Sequence, residues 1–506
     1  MALQIYNSMG RKREEFIPVN EGKCGFYGCG PTVYNYAHIG NLRAYVFLDT
    51  LDRVLRFLGY EINHVMNITD IGHLTGDDDA GEDKMLNTAK ERGQSVLEVA
   101  NFYTKAFFGD IERLNIRKPD VVCKATDHIP EMIELVKRLE AKGHTYMAGG
   151  NLYFDIATFP DYGKLANINL DELKAGARID VDENKRNPYD FVLWFTKSKF
   201  ENQALVWDSP WGVGYPGWHL ECSAMSMKYL GEQIDIHTGG IDHIPIHHTN
   251  EIAQSECATG KKWVNYWLHN EFLVMSKGKD GESEKMSKSS GGFLTLQTLV
   301  EKGYDALDYR FFLLGGHYRS QLAFSWDAMD SAKNARRTLN QRLEKVVSSA
   351  IEDGLSGDTI VKLANREKIA DFATIEYSAV AKEFLEAFTV AVEDDLATPR
   401  ALSQLQMAIK SKDVSKTELV YLVAQMDFVL GLKLIEIAVD AYNKSKETVK
   451  STSESTGDAE IDALVIERNN AKKDKNYARS DEIRDLLKEK GIVLIDTKDG
   501  TTWERI

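Results

Sequence analysis

Residues Tyr27-Gly28-Cys29-Gly30-Pro31-Thr32-Val33-Tyr34-Asn35-Tyr36-Ala37-His38-Ile39-Gly40-Asn41 decide how the rest of the chain is read. The apolar run Gly25-Phe26-Tyr27 breaks at Gly28, Gly30 and Pro31, as a buried strand does on meeting its loop. Beyond Asn41, the residues Leu42, Ala44, Tyr45, Val46, Leu48, Leu51 and Val54 recur at helical spacing. Strand, glycine-bearing loop and helix start form a common phosphate-binding arrangement, because the first helical turn presents free N–H groups and a positive dipole end. Gly40 lets the backbone approach a phosphate while the His38 imidazole donates to it. An ordinary turn capped by His38 and Asn41 fits the same residues, so this stretch alone leaves both readings open.

A second stretch weighs against the plain turn. Lys285-Met286-Ser287-Lys288-Ser289 stands among Gly278, Gly281, Gly291 and Gly292. Two lysines in a glycine-flanked loop can swing onto the phosphates of ATP and neutralise the charge that develops as pyrophosphate leaves. Together, His38-Ile39-Gly40-Asn41 and Lys285–Ser289 resemble the two signatures of the class I aminoacyl-tRNA synthetases, written HIGH and KMSKS. Asn41 stands where the first signature has its last His, and Ser290 and Gly292 stand where the family usually shows Leu and Asn. The resemblance implies that His38, Asn41, Lys285 and Lys288 carry catalysis, and that Gly40, Met286, Ser287 and Ser289 join them around ATP, which binds with Mg²⁺. It also implies that the turn Gly239-Gly240-Ile241-Asp242 contacts the adenosine ribose through Gly239, Gly240 and Asp242; read by itself, that turn is equally a capped glycine turn.

At 506 residues the chain should hold several domains, and its 43% hydrophobic and 27% charged residues are those of a soluble globular protein. The first residues reach charge before any apolar core, so no signal peptide is expected; no apolar run approaches a membrane span, and a cytoplasmic location is expected. The net charge of −15 argues against indiscriminate nucleic-acid binding but allows a local basic face. Five cysteines (Cys24, Cys29, Cys123, Cys222 and Cys257) are too few and too scattered for a disulfide framework, leaving metal ligation or burial for each.

Taken in order, residues 17–120 alternate strand and helix, with a second strand at Tyr60–Asp70 ending in a polar loop and helical periodicity from Met85 to Leu114. The reading is an α/β Rossmann-type doubly wound parallel sheet, split into 1–125 and 206–275 by an inserted connective subdomain at 126–205. The signature loop and a stem-contact region follow at 276–325, then an all-α helical bundle at 326–444, a linker of Ser, Thr, Glu and Lys at 445–458, and a small C-terminal domain at 459–506. The resemblance implies that the insertion holds the acceptor end of tRNA, and the bundle and C-terminal domain its anticodon side. Lys472, Lys473, Lys475, Arg479, Arg484, Lys488 and Lys490 make the last domain a phosphate-binding candidate, although acidic neighbours nearly cancel them.

Cys29 lies in the first loop, Cys222 in Gly217-Trp218-His219-Leu220-Glu221-Cys222, and His247 and Glu251 four residues apart on one helical face. Two thiolates, an imidazole and a carboxylate suit Zn²⁺, although spacing alone does not unite such scattered residues, and His248 competes with His247. The Cys29 loop, the Gly217–Met225 segment and the His247–Ser255 helix look like those of the cysteinyl-tRNA synthetases. That resemblance implies that Cys29, Cys222, His247 and Glu251 hold one zinc in an amino-acid pocket, and that Trp218, His237, Gly30, Thr32 and Thr69 stand with Cys29 around L-cysteine. The implied activity is adenylation of L-cysteine by ATP and transfer to the 3′ end of tRNA(Cys), by a monomer. Rival readings are a cysteine:amino-sugar ligase with the same zinc pocket, a non-catalytic tRNA-binding relative, and a generic nucleotidyltransferase; the helical C-terminal half argues against the first, and the intact signatures against the second. The third leaves Cys222, His247 and Glu251 unexplained.

Overall fold

The structure is a computed structural model, and it describes residues 2–71, 84–168, 183–197, 205–276, 284–285, 294–364, 375–453, 459–473, 476–497 and 500–505. It divides into two compact units, Met1–Ile435 and Glu436–Ile506.

In the first unit a hairpin of β1 (Gln4–Asn7) and β2 (Lys12–Glu15) precedes β3 (Lys23–Gly28), α1 (Ile39–Phe57) and β4 (Glu61–Ile68). Helices α2 (Lys84–Arg92) and α3 (Val96–Arg113) and strand β5 (Val121–Lys124) follow. The single periodic segment expected over Met85–Leu114 is thus two helices. Gly93 takes φ +61°, and Ser95 starts α3 with a capping box closed by Glu98, so the apolar pattern continues while the helix restarts.

The inserted part begins with α4 (Ile129–Ala141) and builds a four-stranded antiparallel sheet in the order β6 (Thr145–Ala148), β7 (Asn151–Phe154), β8 (Phe191–Phe195), β9 (Tyr215–Pro216). Its last strand lies ten residues beyond the expected boundary at 205. Leu152, Phe154, Phe191, Leu193 and Trp194 share one apolar core with Tyr27, Val65, Leu220 and Trp267, while Tyr146, Tyr153, Val192, Phe195 and Tyr215 form a smaller cluster within the insertion itself.

After α5 (Trp218–Leu230) the chain returns to the main sheet through β10 (Ile234–Gly240), α6 (His247–Thr259) and β11 (Val264–Asn270). The five strands are all parallel, in the order β11-β10-β3-β4-β5. Their burial is nearly continuous rather than alternating, as helices on both faces require. Strand order reverses direction between β3 and β10, and such a switch point opens a crevice at the strands' C-terminal ends.

Beyond the sheet, β12 (Leu273–Met275) pairs with β13 (Glu284–Lys285) and β14 (Leu322–Phe324), and α7 (Leu296–Glu301) and α8 (Ala306–Leu314) lie between them in sequence. Helices α9 (Trp326–Glu352), α10 (Gly357–Ala364), α11 (Ala379–Glu393), α12 (Thr398–Lys410) and α13 (Lys416–Leu430) form the all-α part. The stretch Leu402–Leu432, periodic throughout, is again divided by a capping box, Ser415 with Glu418.

Helix α14 (Leu434–Ser453) runs through most of the segment expected as a linker. Residues 445–453 carry neither Gly nor Pro and include good helix formers, so linker-like composition does not stop the helix. The second unit pairs α15 (Ala459–Lys473) and α16 (Tyr477–Glu489) with a hairpin of β15 (Ile492–Thr497) and β16 (Gly500–Arg505) around Ile461, Val465, Ile483, Leu487 and Ile492. Several of its cations pair with carboxylates at the surface: Arg479 with Glu467 and Glu482, Lys472 with Asp496, Arg484 with Asp481, and Lys490 with Glu460. That pairing favours a solvated ion-pair face over a free phosphate site.

Candidate active site

The switch-point crevice holds a cavity of about 630 Å³, lined on its floor by the β3 loop from Cys29 to His38. The loop is pinned before it turns. The Gly30 N–H donates to Asn67 Oδ1 at 2.7 Å, and a Cβ on Gly30 would overlap the Asn67 carbonyl. Only glycine therefore allows this approach to β4. Thr32 bridges to Thr69, whose hydroxyl donates to the buried Glu221 carboxylate at 2.7 Å.

His38 is the N-cap of α1. Its Nδ1 accepts from the Asn41 N–H at 3.0 Å, and its own N–H donates to Asn41 Oδ1 at 3.2 Å, a closed capping box. Because Nδ1 accepts, the neutral ring carries its proton on Nε2, beside the positive helix terminus. Asn41, which departs from the family signature, is what closes this cap. The Ile39 N–H donates to the Leu294 carbonyl at 2.8 Å and His38 bridges to Thr295. At the other end of the second signature, Lys285 pairs through its backbone with Val274. Met286, Ser287, Lys288 and Ser289 lie outside the described residues, as does the Lys285 side chain.

Gly239, Gly240 and Asp242 line the cavity where β10 ends. A Cβ on Gly239 would stand 2.6 Å from the His248 ring, so histidines packed behind the turn exclude a side chain there.

Beside them lie the metal-ligand candidates. The donor atoms of Cys29, Cys222, His247 and Glu251 fall within 4.8 Å of one another; so do those of Cys29, His243, His247 and His248, and of Cys29, His237, His248 and Glu251. These overlapping sets could hold a metal ion, with Cys29 common to all three. Glu251 Oε2 accepts from His237 Nε2 at 2.8 Å. Its Oε1 stands 2.7 Å from His247 Nε2, yet outside hydrogen-bond geometry, and is a buried oxygen that accepts no hydrogen bond. A buried carboxylate, two thiols and an imidazole brought this close together form a donor set that suits a divalent cation.

The electrostatics sort these groups. A hydrogen bond from Cys222, with others from His243, His247 and His248, holds the Cys29 thiol well below the usual range against the opposing effect of burial. Burial pushes Cys222 up, and its neighbour Cys29 adds to the rise. Burial also works against charge on Glu251 and His247, but their mutual attraction prevails, taking Glu251 down to about 2 and His247 up to about 10. Outer partners orient the ring: His247 Nδ1 meets His219 Nδ1 at 3.0 Å, and Trp218 lies over the His247 ring at 4.1 Å.

Of the residues expected around cysteine, Cys29, Gly30, Thr32, Thr69 and Trp218 line the cavity. His237 does not. It is fully buried, stacked on Trp267 at 4.6 Å, with its polar edge turned to Glu251, because β10 directs that position into the core. Sequence reading passed over Asn67, His243 and Asn270, which also line the cavity; a single polar residue at a strand end carries no periodic or motif signal.

A family model described as the catalytic domain of class I (C) tRNA synthetases matches residues 15–334. Over 100% of both chains, the sequence is 63% identical to a cysteine–tRNA ligase of Treponema denticola, and it is 47% identical to one from Treponema pallidum and 45% to one from Borreliella burgdorferi, again over 100% of each chain. Among solved structures, the fold is similar to a methionyl-tRNA synthetase of Mycobacterium tuberculosis bound by methionyl-adenylate, at TM-score 0.51 and 16% identity over 86% of this chain and 95% of that one. It is also similar to the LeuRS of Agrobacterium radiobacter in its ternary complex with tRNA and LeuAMS, at TM-score 0.54 and 12% identity over 84% and 86%.

Proposed function

The chain belongs to the cysteine–tRNA ligases, class I aminoacyl-tRNA synthetases, and from that membership we propose which of its residues activate L-cysteine and pass it to tRNA. The amino-sugar ligase and the non-catalytic relative lose their ground, since the likeness to cysteine–tRNA ligases runs the full length of both chains.

Cys29, Cys222, His247 and Glu251 hold one zinc ion. The observation that carries this reading is the convergence of the Cys29, Cys222, His247 and Glu251 donor atoms within 4.8 Å of one another, with Cys29, Cys222 and His247 lining the switch-point cavity. When bound, zinc supplies a soft Lewis acid that takes the substrate thiolate as a further ligand, a bond that a serine hydroxyl cannot match. His237 keeps Glu251 turned toward the cluster and His219 does the same for His247, so both are positioning residues. Trp218 closes the pocket, with Gly30, Thr32 and Thr69 along its floor.

In the first step the cysteine carboxylate attacks the α-phosphorus of Mg²⁺-bound ATP, and the bond to pyrophosphate breaks. The His38 Nε2–H and the α1 N-terminus donate to the phosphates from one side; Lys285 and Lys288 balance the departing charge from the other. Gly239, Gly240 and Asp242 seat the ribose. In the second step the terminal adenosine hydroxyl of tRNA(Cys) attacks the activated carbonyl, and AMP leaves. No side chain becomes covalent. The insertion receives the acceptor end, and the helical bundle with the C-terminal unit the anticodon side, in a cytoplasmic monomer.

The test is transfer of labelled cysteine, with ATP, onto unfractionated tRNA, run beside an amino-sugar acceptor and beside protein stripped of zinc. Charging of tRNA that fails after stripping and returns with zinc is expected. Label on the amino-sugar alone overturns the reading.

A further inference from the structure

The cavity has a flank used by neither the metal-ligand cluster nor the ribose turn. Strand order places Gly240, Asp242 and Asn270, at the ends of β10 and β11, on one side of the β3 loop. Tyr36, from the loop itself, and Tyr103, from α3, also line the cavity. Tyr36 lies two residues before His38 and is 44% exposed; Phe102, next to Tyr103, is 38% exposed. The three rings meet edge to face: Tyr36 stands 5.1 Å from Tyr103 and 6.1 Å from Phe102. Arg92, at the end of α2, holds Phe102 and Tyr103. Its guanidinium lies 4.3 Å from the Phe102 centroid and donates to the Tyr103 hydroxyl at 2.8 Å.

Two large exposed rings, Tyr36 lining the reaction cavity and Phe102 beside it under an arginine, match what single-stranded nucleic acid requires. Bases present flat π faces whatever their identity, and aromatic side chains with a nearby cation bind them by stacking. The second step also demands that an acceptor hydroxyl enter the cavity that holds the activated carboxyl, by a route free of ATP. The aromatic flank, whose Tyr36 and Tyr103 line the same cavity, offers a place for such an acceptor end.

We propose that Tyr36 and Phe102 form the stacking platform for the single-stranded 3′ end of tRNA, its terminal adenosine above all, with Arg92 as the residue that positions Phe102. The proposal rests on the ligase reading above. That reading fails separately, if the wild-type protein charges no tRNA with cysteine.

The experiment compares tRNA(Cys) with the same tRNA lacking its terminal adenosine, binding each to wild type, Tyr36→Ala, Phe102→Ala and Phe102→Tyr. Full-length tRNA should bind Tyr36→Ala and Phe102→Ala roughly five- to 150-fold more weakly than wild type, the range expected for one lost base–ring stack. The truncated tRNA should change less than twofold, and Phe102→Tyr should restore the difference. Cysteine-dependent ATP–pyrophosphate exchange without tRNA should be retained by Phe102→Ala. Equal weakening of both tRNAs, or weakening of neither, overturns the proposal. Exchange falling in step with charging also overturns it, by giving the rings to ATP.

Discussion

At the scale of single residues, the site is a competition between burial and charge. Glu251 and His247 stay ionic in the core only because each faces the other, and His237 anchors the second carboxylate oxygen. If His237 orients a ligand rather than touching cysteine, His237→Ala should weaken zinc about 10- to 100-fold in chelator competition. With zinc saturating, the KM for cysteine should then recover; a KM defect that zinc does not relieve would return His237 to the substrate wall. Lys288→Ala should lower adenylate formation by roughly 10²- to 10³-fold, since it removes a donor that acts on developing charge. Cysteine binding, read by equilibrium dialysis, should hardly move; equal loss of both would remove the lysine from the phosphate side.

At the scale of elements, α1 carries the site at one end and a polar seam along its buried face. Asp52, on that seam, is held down at about 2: burial pushes it up, and hydrogen bonds from His64 and Arg56 outweigh burial. Its folded value lies below the unfolded value of about 3.9, so its contribution is whole above about pH 4 and is lost as pH falls toward 2. The size is about 2–3 kcal/mol. Asp52→Asn should lower stability at pH 7 and flatten the acid limb, as read by urea unfolding at pH 7, 5 and 3. A limb of unchanged steepness would assign acid sensitivity to other carboxylates. The places where helices stop were harder to read than their existence. Periodicity carried Met85–Leu114 and Leu402–Leu432 as unbroken runs, whereas Ser95 and Ser415 restart the chain through capping boxes with Glu98 and Glu418. Those four residues were visible as a pattern, but an apolar stripe dominates a window in which one cap contributes about 1 kcal/mol.

At the scale of the whole first unit, one buried arginine joins four segments. Arg310, on α8, donates to Asp49 of α1 at 2.5 Å, to the Leu430 carbonyl that ends α13 at 2.7 Å, and to the Leu114 carbonyl beyond α3 at 3.0 Å. Arg53 meets the same Asp49 at 2.8 Å and the Phe428 carbonyl at 2.8 Å. Arg310→Ala should cost about 3–5 kcal/mol, because Asp49 and two carbonyls lose buried partners together. Thermal unfolding of the first unit's signal should shift down accordingly; a loss under 1 kcal/mol would mean that Arg53 alone satisfies the seam. The sequence by itself determined the parallel α/β sheet, the two signatures and the helical C-terminal half, since strand runs, glycine loops and 3.6-residue periods are local properties. Only the tertiary structure decided that Cys29, Cys222, His247 and Glu251 converge, that His237 faces the core, and that the insertion shares the catalytic core. Those facts depend on which strands lie side by side, and strand order is settled by burying apolar faces from residues far apart in the chain, a sum no local window contains.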